Sequence, residues 1–212
     1  LLMSDADCVF SSGWIRKMVS YYDNPEVKLV ASFTNIISRR VFDRFQEVEW
    51  LYMHTMARAG VGMGLPFGCY GNNLSVRRKD FEDIGGYKKI KFNITEDLAL
   101  LQAFTAVGKK ARYVTHPLAT VRTKPCPTVK EYMRQRHRWT NGGVELGMKA
   151  VLFVITSVSL WTGIAASIIF GAPEYALALF GVRVVCDGAL VTHSFFRLKL
   201  FSLLPWIVPS VA

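Results

Sequence analysis

The chain lacks any cysteine pairing that would point to metal or disulfide chemistry. Cys8, Cys69, Cys126 and Cys186 stand far apart with no C-x-x-C spacing, which excludes a zinc ribbon and a disulfide framework and predicts reduced thiols. Histidine is sparse too. His54, His116, His137 and His193 are scattered, and all four read as structural. Acidic residues are outnumbered, 16 against 26 Lys and Arg, for a formal net charge of +10. Such an excess invites a nucleic-acid reading. The basic residues, however, gather around Arg134, Arg136 and Arg138, and 51% of the chain is hydrophobic. Basic charge beside apolar runs suits the cytoplasmic side of a membrane, so no nucleic-acid partner is expected. The first ten residues lack the basic flank of a signal peptide and carry two aspartates. The chain opens and closes inside apolar runs, and it reads as a piece of a longer protein.

Charge is absent altogether from 151–170, a run long enough to span a bilayer as a helix. A turn follows at Gly171-Ala-Pro-Glu174, then a second apolar run over 175–196, interrupted by Arg183 and Asp187. These two are four apart and can neutralise each other. A third apolar segment starts at Leu200. Basic residues flank the first run from Arg134 to Lys149 and follow the second at Arg197 and Lys199, while the turn between has none. The positive-inside rule then puts 1–149 in the cytoplasm and makes 150–212 a multi-pass membrane region with two spans and the start of a third.

Before residue 150 the pattern is α/β. Residues 1–3 read as the end of a buried strand, and Ser11-Ser12 as the cap of a helix carrying Trp14, Ile15, Met18 and Val19. A second buried strand at 27–33 completes a strand-helix-strand unit, which predicts a parallel sheet. A long amphipathic helix is expected over 41–59, from Val41, Phe45, Val48 and Tyr52. A glycine-rich loop follows at 60–71, then a short helix at 79–84 closed by Gly85-Gly86. Thr95 can cap a helix ending at Gly108, with short strands at 111–114 and 119–123. Thr128-Val-Lys-Glu131 matches a capping box. The helix it starts carries Gln135, Arg138 and Trp139 on one face, at i, i+3 and i+4.

Three motifs carry chemistry. Asp5-Ala-Asp7 lies just past a strand end, where ligands of open sheets bind, and in extended backbone both carboxylates point to one side. Two hard oxygen donors suit Mg²⁺ or Mn²⁺. Thr95-Glu96-Asp97 opens a helix, whose positive end favours an ionised carboxylate. Gln135-Arg-His-Arg138-Trp139 sets a planar guanidinium and an aromatic face just before the apolar run.

In this order, the motifs resemble those of the membrane-bound family 2 glycosyltransferases, which include cellulose, chitin and hyaluronan synthases and ceramide glucosyltransferase. The resemblance covers essentially the whole chain. It implies a partial GT-A-type (nucleotide-diphospho-sugar transferase) sheet with flanking helices, followed by transmembrane helices. It implies an inverting, metal-dependent enzyme moving a sugar from a nucleotide-sugar donor to a lipid or glycan acceptor at the membrane. By the same resemblance Asp97 is the general base with Glu96 beside it, and Asp5 and Asp7 hold the metal. Arg138 and Gln135 meet the donor diphosphate; Trp139, Asn72 and Asn73, the last two within Gly71-Asn72-Asn73-Leu-Ser-Val-Arg77, serve the acceptor. The strands that would hold the nucleotide base are missing, so residues 1–212 alone are expected to be inactive. A processive polysaccharide synthase with an export channel and a non-catalytic membrane subunit are the alternatives. Asn73-Leu-Ser75 and Asn93-Ile-Thr95 match glycosylation acceptors, but a cytoplasmic face would leave both unmodified.

Overall fold

The computed structural model of the chain describes residues 1–143 and 148–211. A four-stranded sheet has the order β1 (Leu2–Met3), β4 (Leu74–Val76), β2 (Val27–Ser32), β5 (Lys110–Val114). β4 runs antiparallel to both β1 and β2, and only the β2–β5 pair is parallel. The parallel sheet expected from the strand-helix-strand unit is therefore corrected to a mixed one. The strand-helix-strand unit exists, with α1 (Trp14–Ser20) between β1 and β2. Between its two strands, however, lies a three-residue strand from a hairpin-distant segment. A second sheet pairs β3 (Thr34–Ile36) in parallel with β6 (Val121–Thr123), so the expected strand at 119–123 is shortened by a 3₁₀ turn at Pro117–Ala119.

The helices follow the apolar periodicity, with two corrections at their caps. α1 starts after Gly13 without a side-chain cap, and Ser11 Oγ instead donates to the Leu118 carbonyl at 3.1 Å. Its buried face is Trp14 and Met18, whereas Ile15 and Val19 are exposed. α2 (Val41–Gly62) runs three residues beyond the expected end, and its buried stripe centres on Val48, Leu51, Thr55 and Ala57. Its start is fixed by Asp43, whose carboxylate accepts from the Arg39 and Arg40 backbone N–H groups and pairs with the Arg40 guanidinium at 2.8 Å. The loop after α2 crosses that helix tightly. A Cβ on Gly68 would sit 2.6 Å from the Ala57 methyl, so glycine serves close packing there. α3 (Arg78–Asp83) closes at Gly85, as the sequence predicts.

α4 (Glu96–Ala106) and α5 (Val129–Gly143) carry the later motifs. α6 (Met148–Ile169) and α7 (Pro173–Leu198) pack on each other and are followed by α8 (Leu204–Val211). Among the described residues one helix, α7, is long and apolar enough to cross a bilayer, with mean hydropathy 1.6; in α6 the apolar stretch Val154–Ile169 is shorter. The Arg183–Asp187 pair forms, at 2.5 Å. The basic flank expected up to Lys149 passes through 144–147, outside the described residues.

One buried cluster unites the two halves of the chain. Leu29 and Phe33 (β2 and the residue after it), Leu51 (α2) and Phe104 (α4) share it with Val191, Phe195 and Leu203. Thr55 Oγ1 donates to Ser194 Oγ at 3.0 Å inside it. Burying Phe195 and Leu203 against this core contributes on the order of 2 kcal/mol each. That is enough to hold the end of α7 against α2.

Candidate active site

The residue pairs that build the site start with the loop after β1. Val9 and Arg122 exchange two backbone hydrogen bonds, 2.7 and 3.0 Å, tying that loop to β6. Thr123 Oγ1 then donates to Asp7 Oδ2 at 3.0 Å. Beyond β6, Gln46 of α2 brackets Cys126 with both amide atoms, 2.8 and 3.1 Å, and Thr128 Oγ1 accepts from the Glu131 N–H at 3.2 Å. The capping box read from sequence is thus formed on its threonine side, and α5 leaves in a defined direction.

α5 is held onto α2 by a charged and aromatic clamp. Glu49 Oε2 lies 2.6 Å from Arg136 Nη2 and accepts from Tyr132 Oη at 2.9 Å. The Arg136 guanidinium in turn sits 4.3 Å over the Trp139 ring and 4.7 Å over Tyr132. Trp139 meets Trp50 edge-on at 5.6 Å and Tyr70 at 6.1 Å. These contacts set the adjoining face of α5, with Gln135 and Arg138 beside Trp139, into the cavity.

That cavity, about 190 Å³, is lined by Asp5, Asp7, Asn72, Glu96, Asp97, Gln135, Arg138 and Trp139, with Trp50, Tyr70, Gly71, Ile94, Thr95, Thr123 and Lys124 completing its walls. It is smaller than the ~300–1,000 Å³ that encloses a drug-sized ligand, so a larger substrate extends beyond it. A larger cavity along β1 and β4 holds none of the candidate residues.

Asp97 is the most constrained group. Its Oδ2 accepts from the Gly71 N–H at 2.6 Å and its Oδ1 from the Leu98 N–H at 2.7 Å. Burial nevertheless outweighs these hydrogen bonds and lifts its carboxyl to about 6, helped by Glu96. The sequence argument from the helix start predicted easier ionisation; desolvation reverses that direction. Thr95 does not cap the helix with its side chain, which donates to Asn93 Oδ1 at 3.0 Å. The end of α5 packs directly on Thr95. A Cβ on Gly142 would lie 2.5 Å from its methyl, so only glycine lets the two motifs meet.

Asp5 and Asp7 are both exposed at the cavity mouth. Burial, Asp7 and Glu96 together raise the Asp5 carboxyl, and Arg138 pulls it back. Among the described residues no three His, Cys, Asp or Glu side chains cluster closely enough to hold a metal unaided. The donor set fits Mg²⁺ or Mn²⁺ all the same. Such ions take one or two carboxylates and complete their shell with phosphate and water. A cation bound there would relieve the repulsion that Asp7 and Glu96 add to burial at Asp5.

Asn72 and Asn73 part company. Asn72 lines the cavity, its Oδ1 accepting from Thr34 Oγ1 at 2.8 Å. Asn73 is fully buried and does not reach it. Its amide donates to the Phe33 and Ala119 carbonyls at 2.7 and 2.8 Å and its Oδ1 accepts from Trp14 Nε1 at 3.0 Å. The acceptor role expected for Asn73 is corrected to a structural one. Asn93 is buried as well, so neither asparagine of the two glycosylation sequences is exposed in the fold.

Sequence reading missed Trp50, Tyr70, Thr123, Lys124, Arg136 and Glu49. Trp50 and Tyr70 carried no signal beyond ordinary core aromatics. Arg136 lay within the basic motif, and its four-residue spacing from Tyr132 was the available hint. His54 is structural, as expected. It is fully buried, burial lowers it to about 3, and its Nε2 accepts from the Thr34 N–H at 3.2 Å. The proton therefore sits on Nδ1, which faces Tyr113 Oη at 2.5 Å.

No curated protein matches the chain. The family model described as glycosyl transferase family group 2 matches residues 1–211. A glycosyltransferase domain implies a nucleotide-sugar donor and an acceptor, and the chain belongs to glycosyl transferase family group 2.

Proposed function

We propose that the chain is the inverting, metal-dependent catalytic portion of an enzyme that moves a sugar from a nucleotide-sugar donor to a membrane-associated acceptor. The observation that carries this reading is the convergence of Asp5, Asp7, Asp97 and Arg138 on one cavity. Residues 1–149 form the cytoplasmic transferase part, and 150–212 the multi-pass membrane region.

In the reaction, the acceptor hydroxyl gives its proton to the Asp97 carboxylate as its oxygen attacks the anomeric carbon. The bond from that carbon to the diphosphate oxygen breaks, and the nucleoside diphosphate leaves with the electron pair. A carboxyl near 6 suits this work: it is ionised at neutral pH yet basic enough to accept the proton. Arg138 pairs with the diphosphate and Gln135 hydrogen-bonds beside it. Burial keeps the Asp97 proton affinity high, and the Glu96 carboxylate adds to it. Asn72 and Trp139 flank the acceptor. Asp5 and Asp7 would hold Mg²⁺ or Mn²⁺, which when bound neutralises charge on the diphosphate. A non-catalytic membrane subunit would have no use for this set of charges in one cavity.

The test is transfer from a panel of radiolabelled UDP- and GDP-sugars by the intact protein in lipid nanodiscs, with and without EDTA, with the product linkage read by NMR. Metal-dependent turnover of one donor with inverted anomeric configuration is expected. Retained configuration, or turnover unchanged in EDTA, would contradict the mechanism.

A further inference from the structure

The loop before Asp97 builds a second cavity that shares a wall with the first. It measures about 530 Å³ and is lined by Tyr87, Ile90, Phe92, Ile94, Ala99 and Glu96, among others. Ile94 and Glu96 line both cavities, so the two adjoin at the residue that precedes Asp97. Phe92 is 85% exposed at its rim. Large apolar side chains exposed together beside a polar cleft mark a binding surface.

We infer that this groove takes the alkyl chain of a lipid acceptor whose hydroxyl enters the first cavity beside Asp97. The inference rests on the transferase reading and names the acceptor class for it. Two observations select the occupant. The charged groups suited to a diphosphate, Asp5, Asp7 and Arg138, line only the first cavity, so the donor occupies that side and the acceptor body must leave by another. A glycan would require hydrogen-bonding walls. Here the lining is mostly apolar: Lys91 and Glu96 bring its charged groups, and Asn93, the amide among them, is buried and already accepts from Thr95 N and Oγ1 at 2.9 and 3.0 Å. An alkyl chain asks for no such partners, and each methylene it buries tightens binding about fourfold.

The probe is hexadecanol carrying a mid-chain diazirine, photolysed with the intact protein in nanodiscs, and the labelled peptide is identified by mass spectrometry. Label on 87–99, competed by plain hexadecanol, is expected. It should fall at least fivefold in Ala99→Phe, which fills the groove, and in Phe92→Ser, an exposed change that leaves folding alone. Label confined to α6 and α7, or unchanged in both variants, would overturn the proposal, as would protection by a cello-oligosaccharide and not by hexadecanol. UDP and GDP binding is measured calorimetrically on the same preparation. Nucleotide binding without groove label sinks the groove alone. Groove label without nucleotide binding sinks the transferase reading, and with it the acceptor role.

Discussion

At the scale of single residues, the decisive contest is between burial and hydrogen bonding at Asp97. Two backbone N–H groups favour its ionised form, but desolvation prevails and sets it at about 6. The base form is the deprotonated one, so kcat/KM is expected to rise with pH through about 6 and level off above it. A pH profile of the wild-type enzyme measures this limb; a profile flat from pH 5 to 7 would show that Asp97 does not carry the proton. Asn73 gives the opposite kind of prediction. Asn73→Ala removes three buried hydrogen bonds, taking their Asn73 partner from the Ala119 carbonyl and the Trp14 N–H while the Phe33 carbonyl keeps the Val121 N–H, and should cost about 3 kcal/mol of stability. Denaturant unfolding reads that loss, and the KM for acceptor should barely change in the protein that remains folded.

At the scale of elements, α5 works because Glu49 and Arg136 fix how it lies on α2. The Arg136 side chain is 16% exposed and the Glu49 side chain 30%, so the pair is partly screened and adds little to global stability. Its effect should appear in the position of Trp139 and Arg138. Glu49→Ala is expected to lower turnover on the order of ten- to a hundredfold, by misplacing groups at the cavity. Steady-state kinetics beside a melting curve would separate this from unfolding, and wild-type turnover in Glu49→Ala would contradict it. Gly142→Val should act similarly by forcing α5 away from Thr95. These packing relations explain what was legible beforehand. The helices carrying the motifs announced themselves through the Thr128 box and the i, i+3, i+4 face of Gln135, Arg138 and Trp139. The sheet order did not, because Leu74-Ser75-Val76 is too short for its periodicity to reveal an antiparallel strand between β1 and β2. Nor could Ser11 be known to prefer the distant Leu118 carbonyl over the helix start. Both outcomes depend on contacts far apart in sequence, and so does the burial that reversed the expected shift at Asp97.

At the scale of the whole molecule, the apolar helices and the transferase part share one core, so the membrane attachment proposed above would fix the orientation of the cavity. In a background without the native cysteines, a cysteine at Ala172 should react with an impermeant reagent from outside the cell, and one at Lys109 should not. The reverse pattern would put the cavity on the side of the membrane away from cytoplasmic donors. The account stands or falls, however, on whether this cavity transfers sugar with Asp97 as base. The direct measurement compares donor affinity and transfer rate in intact wild-type and Asp97→Asn protein. Removing the base alone should leave donor affinity within about twofold while transfer falls about 10²–10⁴-fold. Transfer at the wild-type rate in Asp97→Asn would reduce the carboxylate to a helix-start residue and contradict the mechanism.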